Sequence, residues 1–290
     1  MKNENENISS NQKGSSYMRF YYGKQEFCNL ARAQENGMLL TNGLGGFVSM
    51  TSACSVNRCD QGLLVAAVKA PNVRISMVHR LQEKMMADGK EFIFSTQEFA
   101  DKTEKEEGYR YLESFSYEDL PVWKYRMDGI VIKRKLSIGW ERNISAVSYK
   151  IENTTEKACT VQVTPFLKFA PKEEALEEEK KFSCDGRVIS DGMYSMYLHT
   201  DGEVKAVVPQ WQSLSYTEDA KDGRPEEGLC GCCCTIEKTI AAGTKESFVV
   251  IFSMDKEIPS VQELEQEWFA HRQEVEKCCT LTDPLARRLV

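Results

Sequence analysis

Asp-Gly pairs recur along this chain, at Asp88-Gly89, Asp128-Gly129, Asp191-Gly192 and Asp201-Gly202, each between short runs in which apolar and polar residues alternate. An Asp-Gly pair suits a two-residue hairpin, because both positions accept the left-handed backbone that matches the twist of paired strands. Around Asp128-Gly129 the pattern is clear: Trp123, Tyr125 and Met127 alternate before it, and Ile130 and Ile132 after it. Lys84-Met85-Met86 and residues 90–95 flank Asp88-Gly89 in the same way. Further strands are expected at residues 109–117, 146–153, 161–167, 186–189, 195–198, 204–208, 232–238 and 245–254. So many short strands predict a mainly β chain, a large antiparallel sandwich and not a βαβ fold. The period changes after Pro259, where Val261, Leu264, Trp268, His271, Val275 and Cys278 recur at three- and four-residue intervals behind a Ser260 N-cap. That predicts a C-terminal helix with one apolar stripe.

Composition narrows the function. With 290 residues the chain can bury a sizeable core. Its net charge of -7 argues against a phosphate-backbone partner, since nucleic-acid affinity depends on clustered Lys and Arg. No apolar run is long enough for a membrane-spanning helix. Eleven cysteines are an odd number, and no apolar leader follows Met1-Lys2-Asn3-Glu4, so a reducing cytoplasmic setting is expected in place of a disulfide framework. Cys230, Cys232 and Cys234 should share one strand face with Ile236 as small apolar groups; their spacing is poor for zinc. No cofactor or metal is expected. Residues 1–16 lack apolar content and read as a flexible tail, and residues 172–181, KEEALEEEKK, as a solvated helix or loop.

Residues 40–83 carry the most specific signal. Asn42-Gly43-Leu44-Gly45-Gly46 is a shaped glycine loop, followed by Phe47 and an alternating strand. A polar turn with Asn57, Arg58, Asp60 and Gln61 then runs into Gly62-Leu63-Leu64-Val65-Ala66-Ala67. Together with Pro71, Leu81 and Glu83, this order resembles the opening signature of the N-terminal domain of bacterial and archaeal glycogen debranching enzymes, the amylo-α-1,6-glucosidases. The segment from Leu120 to Lys135 is similar to a second stretch of that family. Cys59, Asp60 and Gln61 stand where the family has a basic residue, a tyrosine and a histidine, and Ala170 and Pro171 where it has an arginine.

The resemblance implies a β-supersandwich of the galactose mutarotase-like kind over residues 17–258 and a linker helix over 259–280. It implies that residues 281–290, with Asp283-Pro284 as a helix start, open a missing helical (α/α)6 catalytic domain. The implied role is non-catalytic: to support that barrel, in cis or as a separate chain, and to help bind branched α-glucan such as glycogen or maltodextrin. Asn42, Arg58, Asp60, Gln61, Trp123 and Trp211 are the candidate sugar contacts, since polar groups bond hydroxyls and aromatic faces stack on sugar rings. Arg58→Ala is then expected to weaken glucan affinity without unfolding the domain. Each has a structural alternative: the tryptophans as core, and Arg58 as a brace on the carbonyls of the glycine loop. No pair of carboxylates of the kind glycoside hydrolysis requires is identifiable. Two other functions remain open, a stand-alone carbohydrate-binding or assembly module, and a mutarotase-like epimerase that would need His79 and His199 in one cleft with a carboxylate.

Overall fold

The computed structural model describes residues 20–283. The expected tail over residues 1–16 and the segment from Pro284 onward lie outside them. The described residues open with strand β1 (Phe20–Gly23), helix α1 (Leu30–Gln34), β2 (Gly37–Thr41) and β3 (Phe47–Thr51). β4 (Gly62–Lys69), the long β5 (Val73–Ala87), β6 (Lys90–Ile93), β7 (Thr96–Glu98) and β8 (Lys105–Glu107) follow. Next come β9 (Leu112–Tyr117), β10 (Pro121–Met127), β11 (Ile130–Ile138), β12 (Ile144–Asn153) and β13 (Cys159–Pro171). The last third holds β14 (Ser183–Cys184), β15 (Val188–Ser190), β16 (Ser195–Thr200), β17 (Glu203–Ser215), α2 (Thr217–Lys221), β18 (Glu227–Ile240), β19 (Lys245–Ser253) and α3 (Val261–Cys278).

Two antiparallel sheets form the sandwich. One has nine strands in the order β1-β9-β10-β11-β12-β19-β16-β15-β14. The other runs β17-β18-β13-β5-β4-β3-β2, with β6 added beside β5. β7 and β8 pair separately. This is the mainly β, antiparallel sandwich with a C-terminal helix that the strand punctuation predicts. The hairpins at Asp88-Gly89 and Asp128-Gly129 form as expected, with φ of 49° and 72° at the first pair and 37° and 83° at the second. Asp201-Gly202 behaves differently: it joins β16 of one sheet to β17 of the other, so it is a crossing between layers. A Cβ at Gly202 would sit 2.8 Å from the Ile236 side chain, and this close approach demands glycine.

Local departures are few. Residues 108–110 form a short 3-10 turn, so the strand expected from Tyr109 starts at Leu112. The charged stretch at 172–181 is a loop, and the acidic segment after Tyr216 opens with the short α2.

The inward faces fill the space between the sheets. Trp123, Tyr125 and Met127 of β10 and Ile130, Ile132 and Leu136 of β11 are buried at alternate positions. Arg134 occupies the same inward phase of β11 and is 0% exposed. It meets Glu83, inward on β5 of the facing sheet, with Nε donating to Oε1 at 2.8 Å. Tyr149 donates to the same oxygen at 2.5 Å, and the Arg134 guanidinium lies 4.8 Å from the centre of the Trp123 ring. A second charge pair, Arg80 with Glu106, is buried beside it, and Gln82 and Ser95 also donate to that carboxylate.

Removing one partner of a buried pair strands the other charge, which typically costs about 3–5 kcal/mol. Glu83→Ala should therefore lower the urea unfolding free energy by about that amount, while Glu83→Leu combined with Arg134→Met should recover most of it. A loss below about 1 kcal/mol for Glu83→Ala would contradict the inter-sheet role assigned to the pair.

Candidate functional site

The two sequence motifs are both held by contacts to distant parts of the chain. In the glycine loop, Asn42 is buried, donating from Nδ2 to the Arg142 carbonyl at 2.9 Å and to Asn143 Oδ1 at 3.1 Å. Its Oδ1 accepts from the Leu44 amide at 3.0 Å. Gly43 and Gly45 adopt φ of 77° and 96°, and a Cβ at either would come within 2.7 Å of the Trp140 ring or the Pro71 carbonyl, respectively. The loop needs glycine for both reasons.

Trp140 carries the contact onward to α3. Its ring stacks on His271 with centroids 3.3 Å apart and lies edge-on to Trp268 at 6.5 Å. Helix α3 starts with a full capping box between Ser260 and Glu263, and Leu264 buries against Ile144, Ala146 and Ile251. Arg272 donates to Asp119 at 2.7 Å and anchors the second half of the helix to the β9–β10 connection. His271 thus packs within the seat of the helix.

The polar turn is fastened to α2. Asp219 is 0% exposed; its carboxylate accepts from the Cys59 amide at 2.7 Å and pairs with both Arg58 and Arg224 at 3.1 Å. Arg58 also reaches Asp222 at 2.6 Å. Arg58 is therefore a brace, but on the carboxylates of Asp219 in α2 and Asp222 just beyond it, and not on the carbonyls of the glycine loop. Gln61 is folded back, its Oε1 accepting from the amides of Asn57 at 2.8 Å and Arg58 at 3.3 Å. Beneath the turn, the buried Lys168 ammonium donates to the carbonyls of Cys59 at 3.1 Å and Lys172 at 3.0 Å. Burial pushes its pKa below the usual lysine range.

Between the two motifs lies a shallow depression of about 430 Å³ lined by Leu39, Thr41, Gly45, Gly46, Phe47, Ser49, Asp60, Arg74 and Lys172. It offers one aromatic ring, two hydroxyls, two cations and a carboxylate. Of the six residues singled out from sequence, only Asp60 lines it. Asn42, Arg58 and Gln61 spend their polar groups on the scaffold. Trp123 is buried in the core, its indole N–H donating to the Ser52 carbonyl at 2.8 Å, and presents no face to solvent. Trp211 stacks on Phe182 at 5.6 Å, and a Cβ at Gly231 would meet its ring at 2.7 Å.

The histidines do not meet. His79 is sealed in the eight-stranded sheet, its Nε2 3.0 Å from the Tyr216 hydroxyl, and burial holds its pKa well below the ordinary imidazole value. His199 lies exposed on β16 of the other sheet. The two histidines that the epimerase alternative needs in one cleft therefore lie on different sheets.

The glycogen debranching enzyme N-terminal family model matches residues 36–246, a span that holds the glycine loop, the polar turn and α2. The chain belongs to that family. The matched span of this debranching-enzyme N-terminal domain stops short of α3. No curated protein matches it in sequence. Among solved structures it is similar to a protein assigned as a kojibiose phosphorylase from the human microbiome, at 8% identity and a TM-score of 0.40 over 94% of this chain. A bacterial glucoamylase complexed with acarbose matches at 8% identity and 0.40 over 84% of this chain, and a 4-α-glucanotransferase from Thermococcus litoralis at 9% and 0.35 over 75%. The chain spans 37% of the length of each.

Lys168, Asp219 and Trp140 are the organising residues that motif reading missed. Lys168 had a signal, a charge inside the apolar run of β13; Asp219 and Trp140 act across the chain and had none. Asp219→Ala should lower stability by about 1–3 kcal/mol, because the buried Cys59 amide loses its acceptor and two guanidinium groups each lose one of theirs. Arg58→Ala should cost less, since Arg58 is one-third exposed and Asp219 keeps Arg224. Equal losses in urea unfolding would contradict this order.

Proposed function

We propose that this chain is the non-catalytic support domain of a glycogen-debranching-type glucosidase, bracing a helical catalytic domain and adding a shallow α-glucan contact beside the glycine loop. The observation that carries this proposal is the coupling of the family's glycine loop, through Gly43 and Trp140, to His271 and Trp268 of α3. A loop so fixed to the helix that leaves the sandwich transmits the orientation of the sheets to whatever that helix joins.

Support for a non-catalytic role comes from the buried acids. Among the described residues Glu83, Glu106 and Asp219 are buried, and each is held by an arginine and at least one further donor. A glycosidase needs one carboxyl free to donate a proton and another facing the anomeric carbon. These three are committed to the scaffold. The glucan contact is assigned to the depression, where Phe47 supplies a ring face and Asp60, Arg74 and Lys172 supply groups for hydroxyls. A cytoplasmic location fits glycogen as the ligand, and no described helix is long and apolar enough to cross a membrane.

Native electrophoresis in gels containing glycogen tests the contact. The chain should be retarded, and the combined Asp60→Ala and Arg74→Ala variant should bind about tenfold more weakly, the loss expected for one or two hydrogen bonds. Absence of retardation, or retardation unchanged in the variant, would overturn the assignment.

A further inference from the structure

Three cysteine sulfurs converge where the two-residue edge strand β14 of the nine-stranded sheet packs on β18 of the facing sheet. Cys184 is half-exposed, whereas Cys233 and Cys234 are buried. Both buried thiols lie within hydrogen-bonding reach of the Cys184 sulfur, which also accepts from the Gly186 amide at 3.4 Å.

Strand alternation alone would send Cys233 and Cys234 to opposite faces. The ladder explains why it does not. Against β13, the register passes from Val163↔Ile236 to Leu167↔Gly231, so that residues 164–166 face residues 232–235. Against β17 it jumps from Ala206↔Cys234 to Gln210↔Cys232. An extra residue in a strand bends it and re-aims a side chain. The bulge turns neighbouring cysteines toward one sulfur, while Cys230, Cys232 and Cys234 are buried in the apolar core with Ile236, as expected from sequence. Cys233 is buried with them.

We propose that Cys184 with the Cys233–Cys234 pair is a peroxide-responsive modification site, in which Cys184 is oxidised first and is then captured as a disulfide linking the two sheets. Cys184 is the group a peroxide can reach, and the nucleophile in such a reaction is a thiolate. Donation from Cys233 and then Cys234 holds the Cys184 thiol well below the usual range, while the same contacts with Cys184 push Cys233 and Cys234 up. In the first step the Cys184 sulfur attacks one peroxide oxygen, the O–O bond breaks, and hydroxide leaves, giving a sulfenic acid. In the second, the sulfur of Cys233 or Cys234 attacks the sulfenic sulfur, the S–O bond breaks, and water leaves with the thiol proton. Overall two thiols lose two electrons and two protons, and one hydrogen peroxide becomes two waters. A thiol reductant reverses the change.

Peptide mapping of the native chain after graded hydrogen peroxide tests this directly. Trypsin releases Cys184 in the peptide 182–187 and Cys233 and Cys234 in the peptide 222–238. The expected result is a cross-link between these peptides, formed before the exposed Cys28 is oxidised, cleaved by dithiothreitol, and lost when the chain is unfolded in urea before oxidation. Cys184→Ser, a conservative change on an edge strand, should abolish it, and Cys233→Ser with Cys234→Ser should leave Cys184 trapped as its sulfenic or sulfinic acid. Recovery of Cys184 uncross-linked, oxidised no faster than Cys28, would overturn the proposal.

Discussion

The pairing of Arg134 with Glu83 sets the relation between the two sheets. Both groups sit at inward positions where the neighbouring residues are apolar, and both are sealed from water. A charge pair in such a place gains little over a well-packed hydrophobic alternative, yet each partner is costly to leave alone. Geometry is the product of that asymmetry. Glu83 on β5 must face Arg134 on β11, Tyr149 must reach the same carboxylate, and Trp123 must lie under the guanidinium. A slip of one residue in either strand would break all of these contacts and turn the strand's apolar set outward.

From this fixed core, both family motifs are secured by side chains far away in sequence. The glycine loop is tied to residues 140–143 and from there to α3, and the polar turn is tied to α2 and to Lys168. Conformation is what the motif residues supply. Their polarity, which suggests ligand contact when read along the chain, is spent on backbone amides, carbonyls and ion pairs. What remains open is the shallow depression that the two motifs frame, and Phe47, Asp60, Arg74 and Lys172 are its chemically distinctive members.

The strands were legible from the sequence because Asp-Gly turns and two-residue alternation are local. The Asp128-Gly129 hairpin needs nothing beyond its own residues. The crossing at Asp201-Gly202 uses the same dipeptide, but its outcome depends on Gly202 meeting Ile236 across the sandwich, a contact no local pattern encodes. Helix α3 was readable through its cap and stripe, while its seat on Trp140 was not. Among site residues, Arg58 and Asp219 are separated by 161 positions, so the turn could be found and its partner could not. Arg134 and Lys168 lay in plain view as charges at apolar positions, and such a break in pattern marks a buried polar contact.

The proposal is that this chain braces a helical catalytic domain and contacts α-glucan without cleaving it. The most direct measurement is incubation of the purified chain with a debranching limit dextrin, with glucose release followed by chromatography. No glucose above the buffer control is predicted. Steady release of glucose that is abolished by replacing a single carboxylate would contradict the account, because it would place a working acid pair within this chain.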